Sequence, residues 1–180
     1  LITNKIMAEA TLSNGLLISN TDTDILKIVV VNRYSKAPVA KAFIKNIGIK
    51  KGALASSVAH DSHNIVAVGV DDESICKAVK LIIQQRGGVS AVANDKTLIL
   101  PLPVAGLMSA EDGYKVAADY TDIDRLVKEE LGSNLAALFM TLSFMALLFI
   151  PHLYLSDNVV FDGVSFLFVD SGVLVVRYNV

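Results

Sequence analysis

The sequence predicts an α/β fold, with α+β as the alternative: a single domain in which helices pack on a mixed β-sheet. Three observations carry this expectation. A chain of 180 residues is enough for one domain with a real core and short for two. Runs of β-branched residues bounded by Gly, Pro, Asn and Asp recur along it. Between them lie long stretches in which apolar residues follow the 3.6-residue period of a helix. No internal repeat or Gly/Ser linker divides the chain, so residues 1–23 read as a lead segment, 24–169 as the domain and 170–180 as a divergent tail.

The elements follow in order. Ile25-Leu26-Lys27-Ile28-Val29-Val30-Val31 comes after the turn-prone residues 20–24 and reads as a strand buried on both faces. Residues 39–47, after Pro38 and before Gly48, read as a second strand, and 53–58 and 65–70 as the third and fourth. Asp71 or Asp72 caps a helix whose apolar positions are Ile75, Cys76, Val79, Ile82 and Ile83, ended by Gly87-Gly88. Residues 89–93 and 97–100 flank Asn94-Asp95-Lys96 as a strand pair, and strand 65–70, the helix and strand 89–93 form a βαβ unit. Ser109 reads as the cap of a second helix over 110–131, with Val116, Tyr120, Ile123 and Val127 on its apolar stripe and Gly132 as its stop. Past Pro151, residues 159–161 and 164–169 read as short strands around Asp162-Gly163, and 173–176 as a further one.

Composition excludes several function classes. Sixteen basic and eighteen acidic residues leave a formal charge of −2, and no basic stripe alternates with aromatics, which argues against nucleic acid. The single cysteine, Cys76, excludes an intramolecular disulfide, reads as a small core residue on its helix, and fits a reducing cytoplasm. The first residues lack a signal peptide's basic region and apolar core, and a start on Leu1 points to a chain that is part of something longer. Residues 135–150 carry no charge but fall short of the roughly twenty that cross a bilayer, so they read as a buried helix or core strand, with no membrane partner. With 53% hydrophobic residues and a mean hydropathy of +0.53, an extensive interface is expected.

The segment Ser56-Ser57-Val58-Ala59-His60-Asp61-Ser62-His63-Asn64 concentrates polar chemistry. It places two of the three histidines, a carboxylate, an amide and three hydroxyls between apolar runs. Each polar group left buried and unpaired would cost about 1–3 kcal/mol, so the segment must be bonded internally, hydrated or turned to a ligand. The plainer alternative is a satisfied polar turn between strands. His60 and His63 would point to opposite faces on a strand, and on a turn they could converge with Asp61 on a metal, the weaker possibility.

Residues 52–65 resemble a motif of the carboxy-terminal domain of adenine deaminases of the amidohydrolase superfamily. Leu100-Pro101-Leu102-Pro103-Val104-Ala105-Gly106-Leu107-Met108-Ser109 and Phe139-Met140-Thr141-Leu142-Ser143-Phe144 resemble two more, in the family's order and at about its spacing. The resemblance covers about residues 24–163; the ending, 164–180, resembles the family poorly. It implies hydrolysis of adenine to hypoxanthine and ammonia, in purine salvage or catabolism, at a binuclear manganese or iron centre. That centre lies in an upstream (β/α)-barrel with a His-x-His strand motif, absent here, in the same or a separate chain. The isolated chain is therefore expected to be inactive and to hold no metal, with no catalytic residue of its own, and the whole enzyme to be a homo-oligomer. His60, Asp61, Ser62, His63 and Asn64 are the substrate-binding or interface candidates. Thr141 and Ser143 read as helical hydroxyls bonding back to the backbone, and Met108 and Met140 as core or interface packing. The alternative function is a non-catalytic binding or oligomerisation module that kept this fold.

Overall fold

The computed structural model describes residues 2–148, 153–157, 160–169 and 175–179. Ile2–Ile6 form β1, the dipeptides Leu12–Ser13 and Leu16–Leu17 a small hairpin, β2 and β3, and Ile25–Val31 form β4. Ala40–Lys45 are β5, Ala53–Ser56 β6 and Ile65–Gly69 β7. Helix α1, Asp72–Gln84, leads to β8, Gly88–Ala93, and β9, Lys96–Pro101. Helix α2, Gly113–Leu126, runs on into a π-helical turn, Val127–Leu131, and is followed by α3, Leu138–Phe144. Strands β10, Leu153–Leu155, β11, Val160–Asp162, and β12, Leu167–Val169, make a separate three-stranded sheet, and Val175–Asn179 form β13.

The main sheet has eight strands in the order β1-β13-β5-β4-β7-β6-β8-β9, and every neighbouring pair is antiparallel except β13 with β5. The sheet is therefore mixed and the architecture α+β. β7 and β8 are parallel with β6 inserted between them, and α1 makes the crossover, so the expected βαβ unit is present around an extra strand. The lead segment supplies β1, β2 and β3, and residues 175–179 supply β13.

Central strands are buried on both faces, which is why β6 and β7 read as continuous apolar runs. On one face Ala53, Ala55, Ile65 and Ala67 pack under Ile75, Ala78, Val79 and Ile82 of α1. The alanines let the helix approach closely, and each large aliphatic buried there contributes about 1.5–3 kcal/mol. On the other face Leu54, Val66, Val68 and Ala91 meet Ile123, Leu126 and Leu131 from α2 and its π-turn, Leu138 and Leu142 from α3, and Tyr154 from β10. The sheet is thus the middle of three layers.

Several expectations are corrected. Cys76 is exposed rather than a core residue, and Ile83 is also exposed, because α1 covers the sheet with the narrower stripe of Ile75, Ala78, Val79 and Ile82. Strand 53–58 stops at Ser56, where the Ser56 hydroxyl accepts from the Val58 N–H at 3.0 Å and turns the chain. Helix 110–131 begins at Gly113: Asp112 is the cap, accepting from the N–H groups of Tyr114 and Lys115, while the Ser109 hydroxyl serves the Glu111 N–H. Of the two expected caps, Asp71 and Asp72, it is Asp71 that caps α1, through the Ser74 N–H at 2.7 Å. Met108 and Met140, expected in core or interface packing, are exposed, which overturns the core half of that expectation. Thr141 and Ser143 are buried in α3. Among the described residues no helix is long and apolar enough to cross a membrane. The expected strand residue Val159 and residues 149–150 lie outside the described residues, as do 173–174.

Candidate functional site

Antiparallel pairing brings four connections to one end of the sheet. These are β4 to β5 with Arg33 and Tyr34, β6 to β7 with the polar segment, α1 to β8 with Gly87, and β9 to α2 with Ala105 and Gly106. Residues far apart in sequence therefore meet there.

Ser57, fully buried, is the hub. Its Oγ accepts from the Gly88 N–H at 2.8 Å and donates to the Gly106 carbonyl at 2.6 Å, and its own N–H donates to the Gly88 carbonyl at 3.0 Å. Asn64 is also buried, and its Oδ1 accepts from the Arg33 N–H at 3.1 Å. The Arg33 guanidinium donates to the Ala105 carbonyl at 2.9 Å and to the Tyr34 hydroxyl at 3.0 Å, and that hydroxyl donates to the Ser62 carbonyl at 3.0 Å. A Cβ on Gly106 would lie 1.4 Å from an Arg33 nitrogen, so the absence of a side chain makes room for the guanidinium.

The turn itself closes on its backbone, with His63 N–H donating to the Ala59 carbonyl and Ser62 N–H to the His60 carbonyl, both at 3.0 Å. Asp61 and His63 take left-handed conformations, φ 66° and 48°. Such positions cost about 1 kcal/mol or more in non-glycine residues and cluster at functional sites. His60 packs its ring against Phe144 with centroids 4.4 Å apart, and its N–H lies 3.4 Å from the Ser143 carbonyl. His60 Nε2 and His63 Nδ1 are buried without a partner, while Asp61 and Ser62 are exposed at the mouth of a 270 Å³ cavity with Asp157 and Phe161.

All five candidates thus lie in one turn, in different settings. Asp61 and Ser62 face outward, His60 and His63 are half-buried, and Asn64 ties the turn to the neighbouring loop. Arg33, Tyr34, Ser57 and Gly106 were missed as members of this end, although Ser57 and Gly106 lie within the motif segments quoted above. For Arg33, 31 residues before Asn64, no local signal exists.

The donors do not fit a binuclear metal centre. Among the described residues no three His, Cys, Asp or Glu side chains are grouped to hold an ion. No step of the chemistry is therefore assigned to a metal on this chain.

The three quoted segments, 52–65, 100–109 and 139–144, are now seen to touch one another through Ser57 with Gly106 and His60 with Ser143 and Phe144. The family model described as adenine deaminase C-terminal domain matches residues 1–167. An adenine deaminase of Sulfurovum sp. is 57% identical over 155 residues, covering 86% of this chain and 29% of that protein. Those of Methanosarcina barkeri and Borreliella burgdorferi are 50% and 47% identical, each covering 94% of this chain and 31% of the relative. The chain spans about three tenths of the length of these relatives, and it belongs to the family of adenine deaminase C-terminal domains.

Proposed function

We propose that this chain serves as the C-terminal domain of an adenine deaminase and that the sheet end carrying the polar turn faces the catalytic domain. The reaction is hydrolysis of adenine to hypoxanthine and ammonia. The observation that carries the reading is the convergence of the three motif segments on one surface, with the Asp61 carboxylate exposed at its tip. An exposed carboxylate beside two half-buried imidazoles suits a purine edge: Asp61 accepts from a ring N–H or the exocyclic amine, and His63 offers a donor or acceptor according to its tautomer.

The metal belongs to the upstream amidohydrolase barrel in this reading, as manganese or iron, and would there make the attacking water acidic. Here Ser57, Asn64 and Arg33 hold the turn in place. The enzyme is a cytoplasmic homo-oligomer in the same reading. The purified 180-residue chain with added Mn²⁺ is expected to show no adenine turnover in an ammonia-release assay. Turnover by this chain alone would overturn the assignment of chemistry to a barrel.

The role of the turn is tested in the full-length enzyme. Asp61→Ala with His63→Ala is expected to lower kcat/KM for adenine about tenfold to a hundredfold, the effect of one or two lost hydrogen bonds, with an unchanged native mass. Unchanged turnover with weakened assembly would make the turn an interface instead. A second reading, a binding or oligomerisation module, is supported by the apolar groove of about 720 Å³ between α1 and the β2–β3 hairpin, lined by Leu16, Val29 and Ile83. A natural protein with a native mass near 19.3 kDa would favour it.

A further inference from the structure

We propose that the hollow between the end of α1 and the loop after β9 binds a small phosphate monoester, gripped by Arg33 and Arg86. The hollow lies at the same end of the sheet as the polar turn, but the inference does not require the deaminase reading. The hollow measures about 580 Å³, within the range of small-molecule sites. Among the described residues two guanidinium groups line it and no carboxylate does, and none of the ion pairs involves either arginine. Val31, Ile65 and Ile82 form an apolar wall beside them.

Arg33 is held ready. Its guanidinium donates to the Ala105 carbonyl and the Tyr34 hydroxyl, and lies 5.0 Å from the centre of the Tyr34 ring. Its Nε is buried and has no acceptor. A guanidinium already fixed by two hydrogen bonds loses little freedom on meeting an oxyanion.

Arg86 gives the second and independent observation. The Gly87 N–H donates to the Ile82 carbonyl at 2.9 Å and the Arg86 N–H to the Ile83 carbonyl at 3.1 Å, the paired bonds of a Schellman helix end. In that motif the residue at the Arg86 position is left-handed, and here φ is 60°. Glycine is the residue that takes this conformation without strain. Instead the chain holds an exposed arginine there, with no partner for its guanidinium among the described residues, at the rim of a hollow that contains another arginine. Strain retained in this way points to a use for the side chain. A phosphate monoester offers two negative charges and three acceptor oxygens to two cations, more than a carboxylate, and the apolar wall takes the organic group it carries.

Attraction between a cation and the negative end of α1 is the competing account of Arg86, and the test separates the two. Titration calorimetry on the 180-residue chain would use adenosine 5′-monophosphate, adenosine and inorganic phosphate as probes. The monophosphate is expected to bind at least ten times more tightly than inorganic phosphate, and adenosine not to bind. Arg86→Gly is expected to weaken monophosphate binding at least tenfold while raising the Tm of the ligand-free chain, since the strain goes with the side chain. Arg33→Lys, which keeps the charge and loses the fork, is expected to weaken binding as well. Absence of monophosphate binding, equal affinity for inorganic phosphate, or an Arg86→Gly variant with a lowered Tm and undiminished binding would each overturn the proposal.

Discussion

Gly87→Ala is expected to destabilise the fold by roughly 3 kcal/mol or more, the largest loss from a single methyl group at this end of the sheet. An alanine Cβ there would stand 2.2 Å from the Gly106 Cα and 2.8 Å from the Leu102 carbonyl oxygen. Both are backbone atoms, so no rotamer change relieves the overlap. The φ of 137° adds to the cost for any residue with a side chain. To accept the methyl group, the loop after β9 must lift away, which withdraws the Ala105 carbonyl from Arg33 and the Gly106 carbonyl from Ser57. Urea denaturation is expected to show a lower midpoint with an unchanged slope. A loss below about 1 kcal/mol would mean that the two glycines are not in contact, and the convergence of the motif segments would need another geometry.

Ser57→Val comes next, at about 2–5 kcal/mol. The substitution keeps a small β-substituted side chain and removes the hydroxyl, leaving the Gly88 N–H and the Gly106 carbonyl without their partner, each at about 1–3 kcal/mol. Ser57 is fully buried, so water has no ready route to replace the hydroxyl. Ser57→Ala removes the same bonds without an added methyl group and is expected to lie at the lower end of that range. Hydrogen exchange gives a local readout: the Gly88 amide should exchange faster in both variants. Protection of Gly88 equal to that of the parent chain would show that another acceptor takes its proton.

Legibility in the sequence followed the range of the forces involved. β4, with its run of β-branched residues, and α1, with Asp71 as its cap, were readable because strand propensity and capping act within a few residues. Where two capping residues compete three apart, local chemistry does not choose. Both Ser109 and Asp112 take up backbone N–H groups, and Asp112 starts the helix because it serves two of them in the first turn. Cys76 and Ile83 fit a helical stripe, yet the width of the buried face depends on what α1 rests against. The polar turn stood out as a candidate because its composition is so unlike its flanks. Its supports did not: the Asn64 to Arg33 bond joins loops 31 residues apart, and the Ser57 to Gly106 bond spans 49. Such pairings come from strand order, and β6 placed between β7 and β8 has no signature in any short window.

The pairing of β1 with β13 sets a schedule for synthesis on the ribosome. Among the described residues β1 has no neighbour in the main sheet other than β13, and β13 separates it from β5. At about 5–20 residues per second, β1 waits roughly 10–35 s after its own synthesis for residues 175–179 before it has a place to dock. During that interval the outer edge of β5 is an unfilled ladder, open to a strand from another nascent chain. Lys41 and Lys45 on β5 put positive charge along that edge, a deterrent to mispairing while it stands open.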